Sequence, residues 1–481
     1  MKRVFGLIAG FFFCINSIHA QADSGYEIKV TFKPFTNQYI YLGHYFGKSY
    51  PIVDSAMLNE KSEAVFKGPE YLNGGIYLIG YPNKTGFFEI LIDKQQHFSV
   101  IADTATLKNK IEFKNSPDNV LFLQYQHYME AKGGKIDSLR KIYKATTSKK
   151  DSLAIRKKLE TLDSDISSYR SDFIKKYPNS MLTAFFQCMK EPVLTGRLKD
   201  PKNKKDSIDS WYYYKEHYWD GVSFYDSRLA YTTFFEDKLN KYFNEIVSMR
   251  PDSVIQEMDW MLGTASINPE MTRYLLIRFV NRYLNQKYMW EDAVFLHLFE
   301  NYFAHKEYSW LSAGGKKMIT DRAYSLMANI MGDPAADILL PDSTGNMKAL
   351  YEDSAKFTVV IFWDPMCGHC KEILPKIDSI YQHKWKAEGV SIYSVAKETD
   401  GTQKDWLNFI SEHHIEGWTQ VYYSKEADKA RTDNNIPGYS QLYDVLSFPT
   451  IYLLDKDKRI IAKKLTFEQI DDILQLKLKK E

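Results

Sequence analysis

The 481-residue sequence predicts a multidomain protein with a β-sandwich-like N-terminal domain, an all-α middle region and a C-terminal α/β domain. Apolar and polar residues alternate between turn signals up to about residue 115, which is typical of short strands. Apolar residues then recur every three or four positions as far as about residue 331, as in amphipathic helices. From there to the C-terminus, strand-like and helix-like stretches alternate, which indicates a sheet covered by helices.

The first 22 residues have the features of a secretory signal peptide. A basic start at Lys2 and Arg3 precedes a short apolar run that ends at Phe13. A small-x-small triplet suits cleavage after Ala22, and cleavage after Ala20 is the alternative. The run is too short to cross a bilayer, and no later stretch reaches about 18 uninterrupted apolar residues. We therefore expect an exported protein of the periplasm or cell envelope without a transmembrane span. A lipid anchor on Cys14 is the less favoured alternative, because lipoprotein processing needs a small residue before the cysteine.

Charge and cysteine content exclude several classes of protein. The 63 basic and 61 acidic residues nearly cancel, so the chain has no overall attraction to nucleic acid. A hydrophobic content of 44% with 15% aromatic residues indicates a folded chain. Once the signal peptide is removed, the cysteines are Cys188, Cys367 and Cys370, too few for a secreted domain held together by disulfides. The close pair therefore predicts a chemical task.

Residues 23–115 form the predicted β domain. Alternating stretches separated by Gly and Pro turns predict the strands YEIKVTFKPF, QYIYLGHYF, GGIYLIGYP, FFEILID and HFSVIAD. Strands of this length and spacing favour a β-sandwich or a small barrel. No group of residues here suggests catalysis, and Asp54, Glu89 and Asp93 are expected to face water or to occupy turns.

Residues 116–331 form the predicted helical domain. Near-heptad apolar spacing over 122–143, interrupted at Gly133-Gly134, and over 155–173 predicts two amphipathic helices that form an antiparallel hairpin. Its apolar stripe is expected to pack on the same chain, with a dimerising coiled coil as the alternative. The many aromatic residues that follow are expected to form a core rather than a peptide-binding groove, with Cys188 buried among them.

Residues 332–481 form the predicted α/β domain. An extended lead-in precedes a buried strand, FTVVIFW, and a helix, CKEILPKIDSIYQHKW. The later strands are GVSIYSVAKE, TQVYY, SFPTIYLLD and KRIIAKKLT, and helices such as DWLNFISEHH and FEQIDDILQLKL alternate with them. This order predicts a sheet covered on both faces.

The two cysteines of the tetrapeptide CGHC lie where the buried strand ends and the helix begins. Cys367 would be near the helix N-terminus, where free backbone N–H groups and the helix dipole favour an anion such as a thiolate. Cys370 comes one turn later on the same face, within reach for a disulfide. The spacing therefore predicts a redox couple in which Cys367 attacks and Cys370 resolves.

Other uses of such a cysteine pair fit the sequence less well. Covalent haem attachment needs a His directly after the second cysteine, where this chain has Lys371. A structural zinc site needs two more ligands, and the adjacent His413-His414 pair is expected at a helix end. A peroxidatic cysteine of the peroxiredoxin type needs Thr or Ser three residues upstream, where Asp364 stands. A zinc site and a silent structural disulfide remain as less favoured alternatives.

A second signal lies in the stretch SFPTIYLLD. Pro449 stands at the entrance to a strand, where it removes one ladder hydrogen bond and suits a cis bond after Phe448. A cis Pro449 beside the cysteines would leave the backbone of Phe448 free to pair with a substrate strand. Phe448, Pro449 and Thr450 are therefore the predicted substrate platform.

Together these motifs resemble the thioredoxin superfamily, in the exported branch related to TlpA and ResA. The stretches ADILLPDSTGNMKAL, FTVVIFWDPMCGHC and SFPT and the helix residue Pro375 carry the resemblance. The order of domains is similar to that of multidomain thiol–disulfide oxidoreductases common in Bacteroidetes. The resemblance implies a C-terminal thioredoxin-like fold, with Cys367 as nucleophile, Cys370 as resolving cysteine and Pro449 as the cis-proline. The likeness of CGHC to protein disulfide isomerase implies that His369 stabilises the thiolate.

The sequence departs from the family pattern at the proton acceptor for Cys370. Thioredoxin has a buried Asp six residues before its first cysteine, where this chain has Ile361. ResA-like proteins have a Glu three residues after the second cysteine, where this chain has Ile373, with Glu372 one position earlier. Glu372 is therefore a candidate acceptor, and the alternative is an ordinary carboxylate on the helix surface. Met366 also replaces the Trp that is usual before the first cysteine.

The resulting hypothesis is an exported protein thiol–disulfide oxidoreductase of the reductase or isomerase type. It would exchange disulfides with cysteine-containing envelope proteins and with a thiol electron donor or acceptor, and no cofactor, metal or nucleic acid is expected. The alternative is an envelope binding or scaffold protein in which the β and helical domains do the main work and the thioredoxin-like domain has little turnover.

Overall fold

The computed structural model describes residues 25–107 and 110–479. The predicted signal peptide and Cys14 lie outside the described residues. The described chain divides into two compact units, the first made of residues 25–246 with 265–274 and the second of residues 247–264 with 275–479. The domain boundaries expected after residues 22, 115 and 331 stay predictions.

The N-terminal region is rich in strands, as predicted. Its strands are β1 (Tyr26–Lys33), β2 (Tyr39–His44), β3 (Ile52–Met57), β4 (Glu63–Gly68), β5 (Gly75–Gly80), β6 (Phe87–Ile92), β7 (His97–Asp103) and β8 (Ile111–Lys114). In the described residues they form two four-stranded sheets, in the orders β4-β1-β7-β8 and β3-β2-β5-β6. Every second residue of β1 and β7 is buried, so the alternation seen in the sequence marks the inward face of the sheet.

The sequence patterns do not predict β3, β4 and β8, and all three strands lie at sheet edges. Only one residue of β3, Ala56, is buried, and β8 buries none. An edge strand has a neighbour on one side only and buries less side-chain surface, so its alternation of apolar and polar residues is weaker. Asp54 and Glu89, expected to face water or to occupy turns, instead lie in strands and accept hydrogen bonds from the hydroxyls of Tyr26 (2.8 Å) and Tyr45 (2.5 Å).

The middle region is helical, as predicted. Its helices are α1 (Pro117–Ala145), α2 (Lys149–Lys176), α3 (Met181–Cys188), α4 (Lys204–Glu216), α5 (Thr233–Lys241), α6 (Pro251–Ala265), α7 (Pro269–Tyr283), α8 (Glu291–Leu298) and α9 (Ala313–Met327). The first two form the expected antiparallel hairpin: Tyr128 stacks on Tyr169 with 4.1 Å between ring centroids, and the earlier Tyr125 accepts hydrogen bonds from the later Arg170.

The near-heptad spacing is interrupted at Gly133-Gly134, but α1 runs through both glycines. An added Cβ at either position would meet nothing within 4 Å. The glycines therefore weaken the helix without ending it, since glycine lowers helix propensity but forms the same backbone hydrogen bonds as other residues.

The aromatic side chains after the hairpin form a core, as expected. Tyr218, Trp219 and Tyr242 are buried, and their ring centroids lie 5.1–5.3 Å apart. Cys188 is fully buried at the end of α3, and this burial raises the pKa of its thiol to about 12. Cys188 therefore acts as a small apolar core residue at neutral pH.

The C-terminal region is a thioredoxin-like α/β domain. Its elements are β9 (Leu339–Pro341), β10 (Met347–Ala349), β11 (Phe357–Trp363), α10 (Gly368–Ile380), β12 (Val390–Lys397), α11 (Gln403–His413), β13 (Thr419–Tyr423), α12 (Lys425–Asp433), α13 (Tyr439–Leu442), β14 (Thr450–Asp455), β15 (Ile460–Lys463) and α14 (Phe467–Leu478). The main sheet has the order β13-β12-β11-β14-β15, with β11, β12 and β13 parallel and β14 antiparallel to β11.

Both faces of the main sheet are covered. Leu374 and Ile377 of α10 and Ile470 of α14 pack on one face with the apolar residues of β11. Tyr439 and Tyr443 pack on the opposite face with the lead-in to β9 and β10. The central strand β11 is buried along its whole length and ends at the edge of the sheet where α10 begins. Within the described residues, no helix combines the length and apolarity needed to cross a membrane.

Candidate active site

The loop between β11 and α10 carries the CGHC tetrapeptide, as the sequence predicted. The end of β11 is held in place because the indole N–H of Trp363 donates a hydrogen bond to the hydroxyl of Ser394 on the neighbouring strand, at 2.8 Å. Asp364 and Pro365 turn the chain, and Cys367 occupies the N-cap position of α10. The backbone N–H of Cys367 donates to the carbonyl of Asp364 at 3.1 Å. The Cys367 sulfur thus lies at the helix end where backbone N–H groups lack helical partners.

The two thiols of this pair differ in their exposure. Both are free, Cys367 is half-buried and Cys370 is fully buried. Burial raises the pKa of Cys370 well above its usual range, and the Cys367 side chain and the Asp364 carboxylate add to the rise. A hydrogen bond from the Asp364 backbone offsets part of it. At neutral pH Cys370 is therefore a protonated thiol, and Cys367 is the sulfur that a partner can reach.

A segment 81 residues further along the chain completes the site. The Cys367 Sγ–H group donates a hydrogen bond to the carbonyl oxygen of Phe448 at 3.7 Å. The Phe448–Pro449 peptide bond is cis, as expected from the sequence. Thr450 follows as the first residue of β14, where it pairs with Phe362 near the end of β11. The pairing of β11 with β14 therefore brings the predicted substrate platform to Cys367, and the Phe448 carbonyl is already engaged by the thiol.

Asp364 is the residue of this site that the sequence analysis did not assign. Its carboxylate is 2% exposed and accepts hydrogen bonds from the backbone N–H groups of Met366 (2.7 Å), Thr399 (3.0 Å) and Asp400 (3.1 Å) and from the Thr399 hydroxyl. Burial alone would raise the pKa of Asp364, but these hydrogen bonds outweigh it and lower the pKa, with the Thr399 hydroxyl contributing most. Asp364 is therefore an anion that ties the cysteine loop to the loop after β12.

Close packing between the same two loops supports this role for Asp364. A Cβ added to Gly401 would lie 3.1–3.2 Å from side-chain atoms of Pro365, Asp364 and Met366. A residue larger than glycine would therefore press on the cysteine loop. The sequence contains a feature that could have identified Asp364, because this acidic residue directly follows a fully apolar strand. A buried carboxylate at such a position needs several hydrogen-bond donors.

The other residues considered in the sequence analysis lie on the surface of the domain. His369 is exposed on the first turn of α10. Glu372 is exposed and forms an ion pair with Lys376 at 2.8 Å, so it is a surface carboxylate rather than a proton acceptor for buried Cys370. His414 follows the end of α11 with a φ of 54°. Among the residues that the structure describes, no group of three His, Cys, Asp or Glu side chains is placed to hold a metal ion.

Two family models match separate parts of the chain. Residues 331–463 match the AhpC/TSA family, and residues 166–327 match a domain of unknown function, DUF5106. The thiol-disulfide oxidoreductase ResA of Bacillus thuringiensis subsp. konkukian (strain 97-27) is 28% identical over 148 residues, which are 30% of this chain and 77% of that protein.

Solved structures also resemble the chain. A domain of a possible thiol-disulfide isomerase from Cytophaga hutchinsonii ATCC 33406 is 32% identical, and the match covers 31% of this chain and 97% of that one with a TM-score of 0.27. A thioredoxin-like protein from Bacteroides caccae ATCC 43185 is 18% identical, and the match covers 60% of this chain and 98% of that one with a TM-score of 0.42.

Proposed function

We propose that the chain, which belongs through its C-terminal domain to the thioredoxin-like, ResA/TlpA-like thiol–disulfide oxidoreductases, exchanges disulfides with cysteine-containing proteins of the cell envelope. One observation carries this proposal. A reachable thiol, Cys367, stands at a helix N-terminus and touches the Phe448 carbonyl, while a second thiol, Cys370, is buried one turn further along the helix. This arrangement suits an attacking and a resolving cysteine.

The proposed reaction proceeds in two exchange steps. The Cys367 thiolate attacks one sulfur of a client disulfide, which forms a mixed disulfide and releases the other client sulfur as a thiolate. Cys370 then loses its proton and attacks the Cys367 sulfur. The Cys367–Cys370 disulfide forms, the second client sulfur leaves as a thiol, and two electrons have passed from the couple to the client. The reverse sequence oxidises a client dithiol.

Other residues have supporting roles in this proposal. Phe448, Pro449 and Thr450 form the platform on which a client backbone lies beside Cys367, and the Phe448 carbonyl exchanges its thiol partner for a client N–H group. His369, exposed next to the second cysteine, stabilises the Cys367 thiolate. A thiol electron donor or acceptor of the envelope restores the couple after each turnover.

The location and domain organisation belong to the same proposal. Residues 1–22 direct export and are removed, residues 23–115 and 116–331 form the β and helical domains, and residues 332–481 carry the redox site. Purification of the protein from the periplasm, followed by mass spectrometry of its N-terminus, tests this organisation. A mature chain that begins near Gln21 or Asp23 without lipid supports it, whereas a diacylglycerol on Cys14 contradicts it.

The decisive experiment compares insulin reduction by the wild-type chain and by Cys367→Ser, with dithiothreitol as electron source. We expect the wild type to accelerate reduction and the variant to add nothing above the reagent alone. Equal rates would contradict the proposal and favour a scaffold whose thioredoxin-like domain has little turnover.

Cys370→Ser expressed in the periplasm should accumulate mixed disulfides with clients on non-reducing gels, and Cys367→Ser should not. Equal trapping by both variants would contradict the assignment of the nucleophile.

A further inference from the structure

The loop that carries the substrate platform begins at a buried carboxylate. We call residues 444–449 the platform loop. Its first residue, Asp444, has a left-handed backbone (φ 45°) and is 2% exposed. The Asp444 carboxylate forms ion pairs with Arg322 of α9 and with Lys464 after β15, and it accepts a hydrogen bond from the Ser325 hydroxyl at 3.1 Å. One end of the platform loop is thus held by helix α9.

Helix α9 and Asn329, two residues after its end, also hold the chain just before the platform loop. The Ser325 hydroxyl also lies 3.1 Å from the carbonyl oxygen of Gln441, so its single proton is shared between that oxygen and the Asp444 carboxylate. The side-chain amide of Asn329 donates to the carbonyl of Leu442 at 3.3 Å. Asn329 in turn accepts two hydrogen bonds from the buried ammonium of Lys463, at 2.6 and 2.7 Å. These contacts therefore reach Gln441, Leu442 and Asp444, at or just before the start of the platform loop.

A second buried ion pair comes from the neighbouring helix. Asp292 of α8 pairs with Lys463, and the side chains of both residues are at most 8% exposed. Lys463 is the last residue of β15, which pairs with the platform strand β14. The segment 291–329 therefore contacts both the start of the platform loop and the strand next to its end.

Each of the three nitrogens of the Arg322 guanidinium donates one hydrogen bond in these contacts. Besides Asp444, it donates to the carbonyl of Leu284 at 3.2 Å and to the side-chain oxygen of Gln286. A planar guanidinium with several fixed partners loses its freedom to move, and a Lys ammonium cannot reproduce this geometry. Of the two cations that pair with Asp444, Arg322 is therefore the one held rigidly, whereas the Lys464 side chain is partly exposed.

The other end of the platform loop meets the redox site. Phe448 accepts the hydrogen bond from Cys367, and Thr450 pairs with Phe362 of the strand that leads to the cysteines. Between the two held ends lies Leu446, whose side chain is 76% exposed. In so short a loop, the position of Phe448 depends on where Asp444 is fixed.

We propose that Arg322 is a positioning residue of the redox site, and that residues 291–329 hold the platform loop beside Cys367 so that a client protein can be captured. The inference rests on the proposed function, because it assumes that the platform receives a client backbone. It assigns a task to the end of the segment that matches a domain of unknown function. Arg322 does not touch the reacting sulfurs and acts only through Asp444.

This role makes the effect of Arg322 depend on the size of the disulfide. A protein client has a backbone that must lie along Phe448 before its disulfide reaches Cys367. A small disulfide reagent has no such backbone and needs only the exposed sulfur. Loss of Arg322 should therefore slow the reaction with protein disulfides and leave the reaction with small disulfides nearly unchanged.

The test uses the full chain with Arg322→Met and, as a matched control, Lys317→Met on the same helix, where Lys317 pairs with Asp321 on the exposed side. We expect Arg322→Met to reduce insulin about tenfold more slowly than wild type, because a small misplacement of the reacting groups costs one to two orders of magnitude in rate. Reaction of Cys367 with 5,5′-dithiobis(2-nitrobenzoic acid) should change less than twofold, about the limit of measurement. Lys317→Met should match wild type with both reagents.

A fall of both rates in parallel, or no change in either, would overturn the inference. Hydrogen exchange provides a readout that needs no activity and uses milder variants, Arg322→Lys and Ser325→Ala. The amides of residues 445–448 should exchange faster in both than in Lys317→Met, and unchanged exchange there would also count against the inference. If the wild type fails to reduce insulin, the proposed function fails, while the exchange measurement still decides whether Arg322 positions the loop.

Discussion

The hairpin α1–α2 and the helix pair α8 and α9 have the same secondary structure but place their charged residues differently. On the hairpin, the ion pair Arg156–Glu160 leaves both side chains at least 65% exposed. In α8 and α9, the pairs Asp292–Lys463 and Arg322–Asp444 leave no side chain more than 13% exposed. Water and salt screen the first pair, so breaking it costs little unfolding free energy. Breaking either of the other two pairs would leave a buried charge without its partner, which costs much more.

This difference shows that one helical region can contain parts with different tasks. The hairpin is held by stacked aromatic rings, and its charges keep its surface in water. Asp292 of α8 and Arg322 of α9 direct their charges into the interior of the compact unit that contains the cysteine pair, whereas Lys317 and Asp321 of α9 stay exposed. Buried charges are placed precisely because each must find its partners. The position of a charge, more than its presence in the sequence, therefore indicates which helices are tied to the redox site.

The largest expected effect comes from breaking a buried pair. Asp292→Ala leaves the ammonium of Lys463 without its carboxylate, and removal of one partner of a buried pair costs about 3–5 kcal/mol of unfolding free energy. Arg156→Ala breaks an exposed i,i+4 pair and should cost about 0.5 kcal/mol or less. Guanidinium chloride unfolding of the two full-length variants measures both values. Equal losses of unfolding free energy in the two variants would contradict the expected difference between buried and exposed ion pairs.

Near the cysteines, the buried carboxylate of Asp364 can be compared with the exposed carboxylate of Glu372. Asp364→Ala leaves the N–H groups of Thr399, Asp400 and Met366 without their acceptor, at a cost of about 1–3 kcal/mol for an unsatisfied buried group. We expect lower stability and slower insulin reduction. Glu372→Ala removes an exposed carboxylate and should leave both unchanged, which makes it the control. Unchanged activity in Asp364→Ala would show that the loop contacts do not position Cys367.

The greater burial of Cys370 than of Cys367 also predicts that the rate of the resolving step depends on pH. The pKa of Cys370 is raised by burial, so its thiol is mostly protonated at neutral pH and ionises as the pH rises. Below that pKa, the thiolate fraction increases about tenfold with each pH unit, which corresponds to about 1.4 kcal/mol. Release of glutathione from a mixed disulfide on Cys367 should accelerate accordingly between pH 7 and 9. A constant rate over this range would contradict the prediction, and Cys370→Ser, which should show no release, is the control.

The smallest expected effect is a gain in stability on the hairpin. Gly133 lies inside α1 with no atom within 4 Å of an added Cβ, so Gly133→Ala should stabilise the protein by about 0.5–1 kcal/mol. Gly315 in α9 has Leu311 at 3.0 Å from the added Cβ, so Gly315→Ala should gain less. Thermal unfolding compares the two variants. A larger gain at Gly315 would mean that packing around α9 is looser than the contacts indicate.

Much of the fold could be predicted from local patterns. The fully apolar stretch Phe357–Trp363 was expected as a buried strand and is buried at every position. The strands that escaped prediction were edge strands such as Ile52–Met57, because burial at an edge is too slight to leave a clear pattern. Helix α1 continues through Gly133-Gly134, where the apolar spacing is interrupted, because the helical hydrogen bonds continue through glycine.

The sequence by itself determined the cysteine pair, its position at the start of a helix and the proline of the platform, since each depends on neighbouring residues. Only the tertiary structure decided that Phe448 touches Cys367 across 81 residues and that Arg322 meets Asp444 across 122 residues. These contacts depend on the pairing of β11 with β14 and on the packing of α9 against the same unit. Local sequence patterns cannot predict these long-range contacts. A buried charge is stabilised by the partner that the fold brings close to it, and that partner can be distant in the chain.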